Sequence, residues 1–250
     1  MLEERNVKAT CFFLGYTAQR HPHLIKRAAA AGHEVASHGY HHELVYKAGR
    51  MKFLEDAKAS KALLEDLLGG EVKGYRAAGF SVTRETPWFF DALIEAGYRY
   101  DSSVFPGPRQ HGGMAYPHSN PHWVRASSGA IFEIPISLFS LFGRKVCFSG
   151  GGYLRLLPYW LIRSLARQVM RSGDPVTFYV HPRDFDVEQP RIRMGPLRAF
   201  KSYVGLRSTE RKVRALLGDF QFARYDEYLA RSGAAGSTAS MLSAQAVFGT

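Results

Sequence analysis

The strongest chemical signal in the chain is a histidine cluster, Ser37-His38-Gly39-Tyr40-His41-His42. It follows an apolar run that is typical of a short strand, at the end where α/β folds place their functional sites. His38 and His42 are four residues apart, so one helical turn would bring both imidazoles to the same side. Such a pair suits a metal such as zinc. His41 competes for the same role, because a three-residue spacing also works, and a histidine-rich surface loop is the alternative.

Three further predicted strand ends carry polar side chains. His181 follows the apolar run VTFYV and precedes Pro182, and a histidine in this position can act as a general acid or base. Arg76 ends VKGYR, and Asp101 ends YRYD. Each residue alone is more often structural. Together with the histidine cluster, they predict a shared site at neighbouring strand ends.

The elements that would position these side chains alternate between strand and helix patterns. Short apolar runs predict strands over 7–14, 33–38, 72–76, 98–101, 131–137, 176–180 and 220–225. Apolar residues at three-to-four spacing predict helices over 51–68, 86–96, 158–171 and 208–217. This alternation predicts an α/β fold with parallel strands, as a barrel or a doubly wound sheet. Residues 102–130 are predicted to form a long loop, and residues 231–250 a disordered tail.

Composition narrows the class of protein. The 250 residues are 46% hydrophobic and 22% charged, which excludes a disordered protein, a collagen and a coiled coil. No apolar segment is long enough to span a bilayer, and the first residues lack a signal-peptide core, so we expect a cytoplasmic protein. The net charge of +11 favours an anionic partner. Because the basic residues are scattered, with the densest part at 191–214, we interpret them as solvated surface and not as a nucleic-acid site.

Several motifs together resemble a known family. The order and spacing of ATCFFLG, GHEVASHGYHH, YRAAGFS, YRYDSS and FYVHP resemble the polysaccharide deacetylases with NodB homology, carbohydrate esterase family 4, over about 7–186. The phrases SHGYHHELVY, DSSVFP, EIPIS and SGGGYLRLLPYW resemble a subgroup linked to exopolysaccharide gene clusters. The resemblance implies a distorted (β/α)7 barrel over 1–186 and a C-terminal extension packed on it over 187–230.

The resemblance also implies roles for individual residues. His38 and His42 match the family's metal-binding histidines, and the metal would be divalent, most readily Zn²⁺, with Co²⁺ or Ni²⁺ also suited. His181 matches the histidine that protonates the leaving amine, and Arg76 the arginine that orients a catalytic aspartate. Asp101 lies in the motif that supports the histidine acid and the groove wall. The implied activity is removal of N-acetyl groups from a polysaccharide or lipid-linked glycan.

The chain departs from the family pattern at its beginning. Family members start with a strand that ends in an acidic run, which supplies the general base and a third metal ligand. Nothing before Val7 matches that strand, so we expect the first strand to be missing and the acidic motif to lie upstream of Met1. A smaller departure is AAGF after Arg76, where proline is common. The 250 residues are therefore expected to bind metal weakly and to lack activity. The alternative function is a non-catalytic glycan-binding relative.

Overall fold

A computed structural model describes residues 1–107, 109, 112–234 and 241–248. The chain divides into two compact units. The first, which we call the sheet unit, comprises Leu2–Pro135 and Phe222–Thr250. The second, which we call the inserted unit, comprises Ile136–Gln221 together with Met1. These units divide the chain differently from the predicted boundaries at residues 186 and 230, because the residues after Phe222 pack with the sheet.

The sheet unit contains seven strands and seven helices among its described residues. In chain order they are β1 (Thr10–Phe13), α1 (Gly15–Arg20), α2 (Pro22–Ala30), β2 (Glu34–Ser37), α3 (Val45–Ala48), α4 (Arg50–Leu68), β3 (Gly74–Tyr75), α5 (Phe89–Glu95), β4 (Tyr100–Asp101), β5 (His122–Ala126) and β6 (Gly129–Glu133). The inserted unit supplies β7 (Leu138–Leu141), β8 (Arg144–Cys147), α6 (Gly151–Leu156), α7 (Tyr159–Arg171), α8 (Pro196–Tyr203) and α9 (Leu206–Asp219). The sheet unit then resumes with α10 (Tyr225–Ala234), β9 (Met241–Ser243) and α11 (Ala244–Phe248). Short 3₁₀ turns lie at Glu3–Arg5, Ala78–Phe80 and Pro182–Asp184.

The central sheet has the strand order β1-β2-β3-β4-β6-β5-β9. Strands β1, β2, β3, β4 and β6 are paired in parallel, whereas β5 is antiparallel to β6 and parallel to β9. The predicted α/β class is therefore confirmed. Across the described residues the sheet is mostly parallel and open, as expected of a distorted barrel. The parallel pairing brings the carboxyl ends of β2, β3, β4 and β6 to one edge.

Helix α4 shows why the sequence folds locally as it does. Its buried positions Phe53, Leu54, Ala57, Ser60 and Leu64 recur at three-to-four spacing, so one face packs inward. The helix ends at Gly69, whose φ of +65° suits glycine and whose N–H donates to the carbonyl of Glu65. This helix was predicted over 51–68, and that prediction is confirmed.

Three sequence interpretations differ from the structure of the sheet unit. The predicted loop over 102–130 contains strand β5, although residues 108, 110 and 111 lie outside the described residues. No strand is present over 220–225, where α10 begins at Tyr225. Part of the predicted disordered tail is ordered, because β9 pairs with β5 and both Val247 and Phe248 are buried. Residues 235–240 and 249–250 of that tail lie outside the described residues.

The inserted unit consists of the antiparallel hairpin β7–β8 and four helices. Helix α7 agrees with the helix predicted over 158–171. The strand predicted over 176–180 is not formed: Tyr179 makes a single isolated bridge with Gly150. Residues 176–180 are therefore an extended segment that leads to His181. None of the described helices in either unit has the length and apolar character needed to cross a membrane.

Candidate functional site

The two histidines predicted to bind metal lie close together in the sheet unit. The ring centroids of His38 and His42 are 5.1 Å apart, with an angle of 69° between the rings. The ring of His41 instead packs against Tyr40, with centroids 4.7 Å apart. The predicted helical turn is wrong, since residues 38–44 form a loop in which Gly39 has φ +76° and His42 has φ +59°. A turn with two positive φ angles, and not a helix, brings the pair together.

Asp56 on helix α4 holds this histidine loop in shape. The N–H of Tyr40 donates to Asp56 Oδ2 at 2.7 Å, and the N–H of His41 donates to Oδ1 at 3.1 Å. A Cβ atom on Gly39 would lie 2.9 Å from the same Oδ2, so only glycine fits there. Asp56 was not among the residues predicted from the sequence. The signal in the sequence was an acidic residue that lies between two apolar positions of the predicted helix, Leu54 and Ala57.

The surroundings of His38 fix its tautomer. Its Nδ1 lies 2.6 Å from the carbonyl oxygen of Arg76, and because a carbonyl only accepts, Nδ1 carries the proton. The lone pair of a neutral His38 is then on Nε2. Metal-binding histidines are commonly oriented in this way, by a hydrogen bond from the second ring nitrogen. His38 therefore has the ring orientation and the tautomer expected of a metal ligand.

The side chain of Arg76 is buried against protein groups. Its Nε donates to the carbonyl of Ser102 at 3.0 Å, and one terminal nitrogen donates to Ser102 Oγ at 2.7 Å. The same nitrogen donates to the hydroxyl of Tyr225 at 2.9 Å, and the guanidinium lies 4.2 Å from the centre of the Phe12 ring. These contacts tie together the ends of β3 and β4. The predicted role of Arg76 toward a catalytic aspartate stays a prediction.

Asp101 has no exposed surface and therefore does not form the wall of a groove. It accepts hydrogen bonds from the hydroxyl of Ser103 at 2.5 Å and from its N–H at 3.0 Å. The Oγ of Ser103 accepts in turn from the N–H of Ala77 at 2.7 Å. Through Ser103, Asp101 thus holds Ala77, the residue after Arg76. The carbonyl of Arg76 in turn orients His38. The structure replaces the predicted groove-wall role of Asp101 with a positioning role.

A second buried carboxyl group, on Glu133, accompanies Asp101. Glu133 is the last residue of β6, which lies beside β4, and it is in register with Asp101. Its Oε1 accepts from the N–H of Val104 at 3.1 Å. Its buried Oε2 receives no donor hydrogen from another group in the described chain. Burial raises the pKa of Asp101 to about 6, and burial with the nearby Asp101 charge raises the pKa of Glu133. The two carboxyl groups therefore share a proton, which Glu133 holds toward Asp101.

His181 lies in the inserted unit, where a buried carboxylate holds it. Its side chain is 57% exposed, and its Nδ1 lies 3.4 Å from Asp184 Oδ2. Burial alone would raise the pKa of Asp184, but hydrogen bonds from His181 and the charge of Arg155 lower it. Arg155 contacts the other carboxylate oxygen at 2.5 Å. The structure thus brings His38, His42, Arg76 and Asp101 together in one unit and places His181 in the other. Their membership of one cleft stays a prediction.

Among the described residues, the candidate metal ligands are limited to the histidine pair. Within the described ranges, no group of three or more His, Cys, Asp or Glu side chains is arranged to hold a metal ion. Catalytic zinc normally has three protein ligands and one open position. The two imidazoles fit a divalent metal in donor type and tautomer, and the described residues add no third ligand to them.

Comparison with known proteins gives two family matches. The family model for polysaccharide deacetylase matches residues 1–100, and the model for a domain of unknown function, DUF3473, matches residues 102–230. A peptidoglycan-N-acetylglucosamine deacetylase of Bacillus cereus is 34% identical over 68 residues, which are 27% of this chain and 25% of the relative. A peptidoglycan deacetylase of Helicobacter pylori is 28% identical over 104 residues, which are 42% of this chain and 34% of the relative. The matches thus span a quarter to a third of the length of these curated relatives.

Solved structures support the fold. A candidate polysaccharide deacetylase of Mycobacterium smegmatis aligns over 95% of this chain and 76% of its own, with a TM-score of 0.61 and 23% identity. A probable polysaccharide deacetylase of Pseudomonas aeruginosa PAO1 aligns over 94% and 71%, with a TM-score of 0.62 and 18% identity. At these identities the structural similarity supports the fold alone. The chain belongs to the family defined by the DUF3473 domain, whose model matches residues 102–230, and over residues 1–100 it is similar to the polysaccharide deacetylases.

Proposed function

We propose that this chain carries part of the site of a metal-dependent hydrolase that removes N-acetyl groups from a polysaccharide or a lipid-linked glycan. These 250 residues lack the acidic motif that would supply the general base and a third metal ligand. The curated relatives are both named as peptidoglycan deacetylases, which supports a glycan substrate. The observation that carries the proposal is the histidine pair, in which His38 donates through Nδ1 to the Arg76 carbonyl. That arrangement leaves Nε2 as the metal-binding atom.

His38 and His42 would hold the divalent ion. When bound, such an ion polarises the acetamide carbonyl and lowers the pKa of a water molecule that attacks it. Asp56 keeps the two imidazoles in their loop. Asp101 and Ser103 hold the Ala77 amide, and thereby the Arg76 carbonyl, against His38. Zinc, cobalt and nickel all suit imidazole ligands.

His181 is the proposed proton donor to the leaving group. Water adds to the acetamide carbonyl carbon and gives a proton to a general base, which these 250 residues do not supply. The C–N bond then breaks as the amine nitrogen takes a proton from His181, and the products are acetate and a free amino sugar. An imidazole that acts in this way needs a carboxylate to hold its orientation. Asp184 supplies one, because it is buried, ionised and paired with Arg155.

The assignment of the metal ligands is tested by titrating the chain with Co²⁺ and following the visible absorption of the bound ion. We expect His38→Ala and His42→Ala each to weaken binding at least about tenfold, since each removes one of two imidazoles. His41→Ala is the matched control, because it removes a neighbouring histidine whose ring packs on Tyr40. Equal losses in all three variants would show that the assignment is wrong.

The proposed reaction is tested by measuring acetate release from an acetylated amino-sugar oligomer, by these 250 residues and by a version extended with an acidic first strand, with the metal content determined in parallel. We expect release only from the extended version, and the variants below are made in it. Metal-dependent release that disappears in His38→Ala and His181→Ala would support the hydrolase. Tight binding of the oligomer without release, in the metal-loaded chain, would instead support the non-catalytic glycan-binding function. Release that is unchanged in His181→Ala would remove His181 as the proton donor.

A further inference from the structure

The positive charge of the chain is concentrated in the inserted unit. Residues 136–221 contain 15 Lys and Arg against six Asp and Glu, a net charge of +9 out of +11 for the whole chain. Exposed apolar side chains have the same distribution. Of the fifteen large hydrophobic residues that are exposed in the described chain, twelve lie between residues 136 and 221. One unit thus carries both the charge and the exposed apolar surface.

The two properties coincide in the segment 191–201. Ile192, Leu197 and Phe200 are 69%, 67% and 54% exposed. The basic residues between and beside them are Arg191, Arg193, Arg198 and Lys201, all exposed. The sequence contains no acidic residue from 189 to 209. In the described part of the chain, none of these four basic side chains forms an ion pair.

Contacts within the segment make it a single surface. On helix α8 the half-buried residues Ala199, Ser202 and Tyr203 share one face, which leaves Leu197 and Phe200 on the outer face. The hydroxyl of Tyr203 accepts from the N–H of Ile192 at 3.0 Å. The Tyr203 ring lies 4.2 Å from the guanidinium of Arg191. Tyr203 therefore holds the loop that contains Arg191 and Ile192 against helix α8.

We propose that the segment 191–201 is a docking surface for an anionic lipid bilayer. Interfacial segments of proteins combine apolar side chains that enter the headgroup region with Lys and Arg that contact anionic lipids. The segment has both features at adjacent positions. An acidic polymer such as a nucleic acid or a charged glycan would use the four basic residues, but it would leave Ile192, Leu197 and Phe200 exposed to water. The apolar side chains therefore favour the bilayer.

The test is co-sedimentation of the full chain with vesicles of phosphatidylcholine alone or mixed with phosphatidylserine. We expect binding only to the anionic vesicles, weakened by salt. Each basic residue near such a surface contributes about fivefold to affinity. Arg193→Gln, Arg198→Gln and Lys201→Gln together should therefore weaken binding at least about tenfold. Ile192→Gln, Leu197→Gln and Phe200→Gln together should have a comparable effect, because the inserted apolar area is lost.

The matched control is the triple variant Lys26→Gln, Arg27→Gln and Lys58→Gln, which removes three exposed charges from the sheet unit. We expect it to bind like the unchanged chain, and thermal unfolding should confirm that all variants are folded. No binding to anionic vesicles would overturn the proposal, as would an equal loss in the control. A full effect of the basic variant with none of the apolar variant, together with competition by a soluble polyanion, would show a polyanion site in place of a lipid surface.

Discussion

At the scale of single residues, the clearest feature is the carboxyl pair of Asp101 and Glu133. Both side chains are fully buried, and the pair shares a proton beneath the strand ends that orient His38. Buried carboxyl pairs are costly when both ionise, because the charges repel in a medium that solvates them poorly. The pair therefore makes the stability of the sheet unit depend on pH.

The direction of that dependence follows from the raised pKa values. A carboxyl whose pKa is higher in the folded than in the unfolded chain stabilises the fold below the unfolded value and loses that contribution as pH rises. We therefore expect the free energy of unfolding to fall from about pH 4 through about pH 6, where Asp101 titrates, and onward as Glu133 loses its proton.

Glu133→Gln should reduce this dependence, since the amide donates to Asp101 without a titratable proton and only Asp101 is left to titrate. The free energy of unfolding of the variant, minus that of the unchanged chain, should increase by about 1–3 kcal/mol from pH 5 to pH 8. Denaturant unfolding at the two pH values measures the gain. Glu133→Ala is the control, and it should be destabilised at both, because the N–H of Val104 loses its acceptor. A stability difference between Glu133→Gln and the unchanged chain that is the same at both pH values would contradict the shared proton.

At the scale of elements, the loop after β2 determines the histidine geometry. Two glycines near it have similar positive φ angles, +76° at Gly39 and +73° at Gly49. A Cβ atom at Gly39 would meet Asp56 and Tyr75, whereas a Cβ at Gly49 has no atom within 4 Å. The two positions therefore separate backbone strain from steric contact.

We expect Gly39→Ala and Gly49→Ala each to lose about 1–3 kcal/mol of stability, because alanine is strained at positive φ. Only Gly39→Ala should also weaken Co²⁺ binding, by at least about tenfold, since it displaces Asp56 and with it the loop that carries His42. Thermal unfolding and metal titration measure the two effects. If Gly49→Ala weakened metal binding as much, the contact with Asp56 would not be the cause.

The sequence was sufficient for elements with a strong local pattern and insufficient for those formed by distant partners. Helix α4 has regular apolar spacing and a terminal glycine, and it was predicted almost to the residue. Strand β9 is three residues long and exists because Met241 pairs with Trp123, a partner far away in the chain. The residues 176–180 have a strand-like composition, yet they find only one bridging partner.

The candidate site shows the same limit. His38, His42 and Arg76 were identified because their types follow predicted strands in a recognisable order. Asp56 and Glu133 were missed, because nothing local distinguishes a carboxylate that accepts from a distant backbone N–H from one in solvent. Only the packing of α4 on the loop, and of β6 beside β4, gives these two residues their roles.

At the scale of the whole molecule, the sheet unit depends on residues from both ends of the chain. The N–H of Tyr225 donates to Thr10 Oγ1 at 2.9 Å, and the N–H of Asp226 donates to the buried Glu34 at 3.1 Å. Arg224 donates to the carbonyl of Gly32 at 2.9 Å. Helix α10 therefore supplies hydrogen bonds that the first two strands need.

A chain that stops after Gln221 should lose at least about 3 kcal/mol of stability in the sheet unit, because Glu34 and its neighbours lose buried partners. A chain that stops after Ala234 is the matched control, because it keeps α10 and lacks only β9 and α11. Denaturant unfolding compares the two, since both lack β9 and differ in α10. A chain ending at Gln221 that unfolds like the control would show that α10 contributes little.

Because the sheet unit is discontinuous in the sequence, its two parts are synthesised at different times. Residues 2–135 leave the ribosome first, and the 86 residues of 136–221 must follow before Tyr225 is available. At about 5–20 residues per second, this interval lasts about 4 to 17 seconds. During that time Thr10 and Glu34 lack the backbone donors of Tyr225 and Asp226, and β5 lacks its partner strand β9. The nascent chain is thus a substrate for chaperones at a defined stage of translation, and slow codons between 136 and 221 would prolong its exposure.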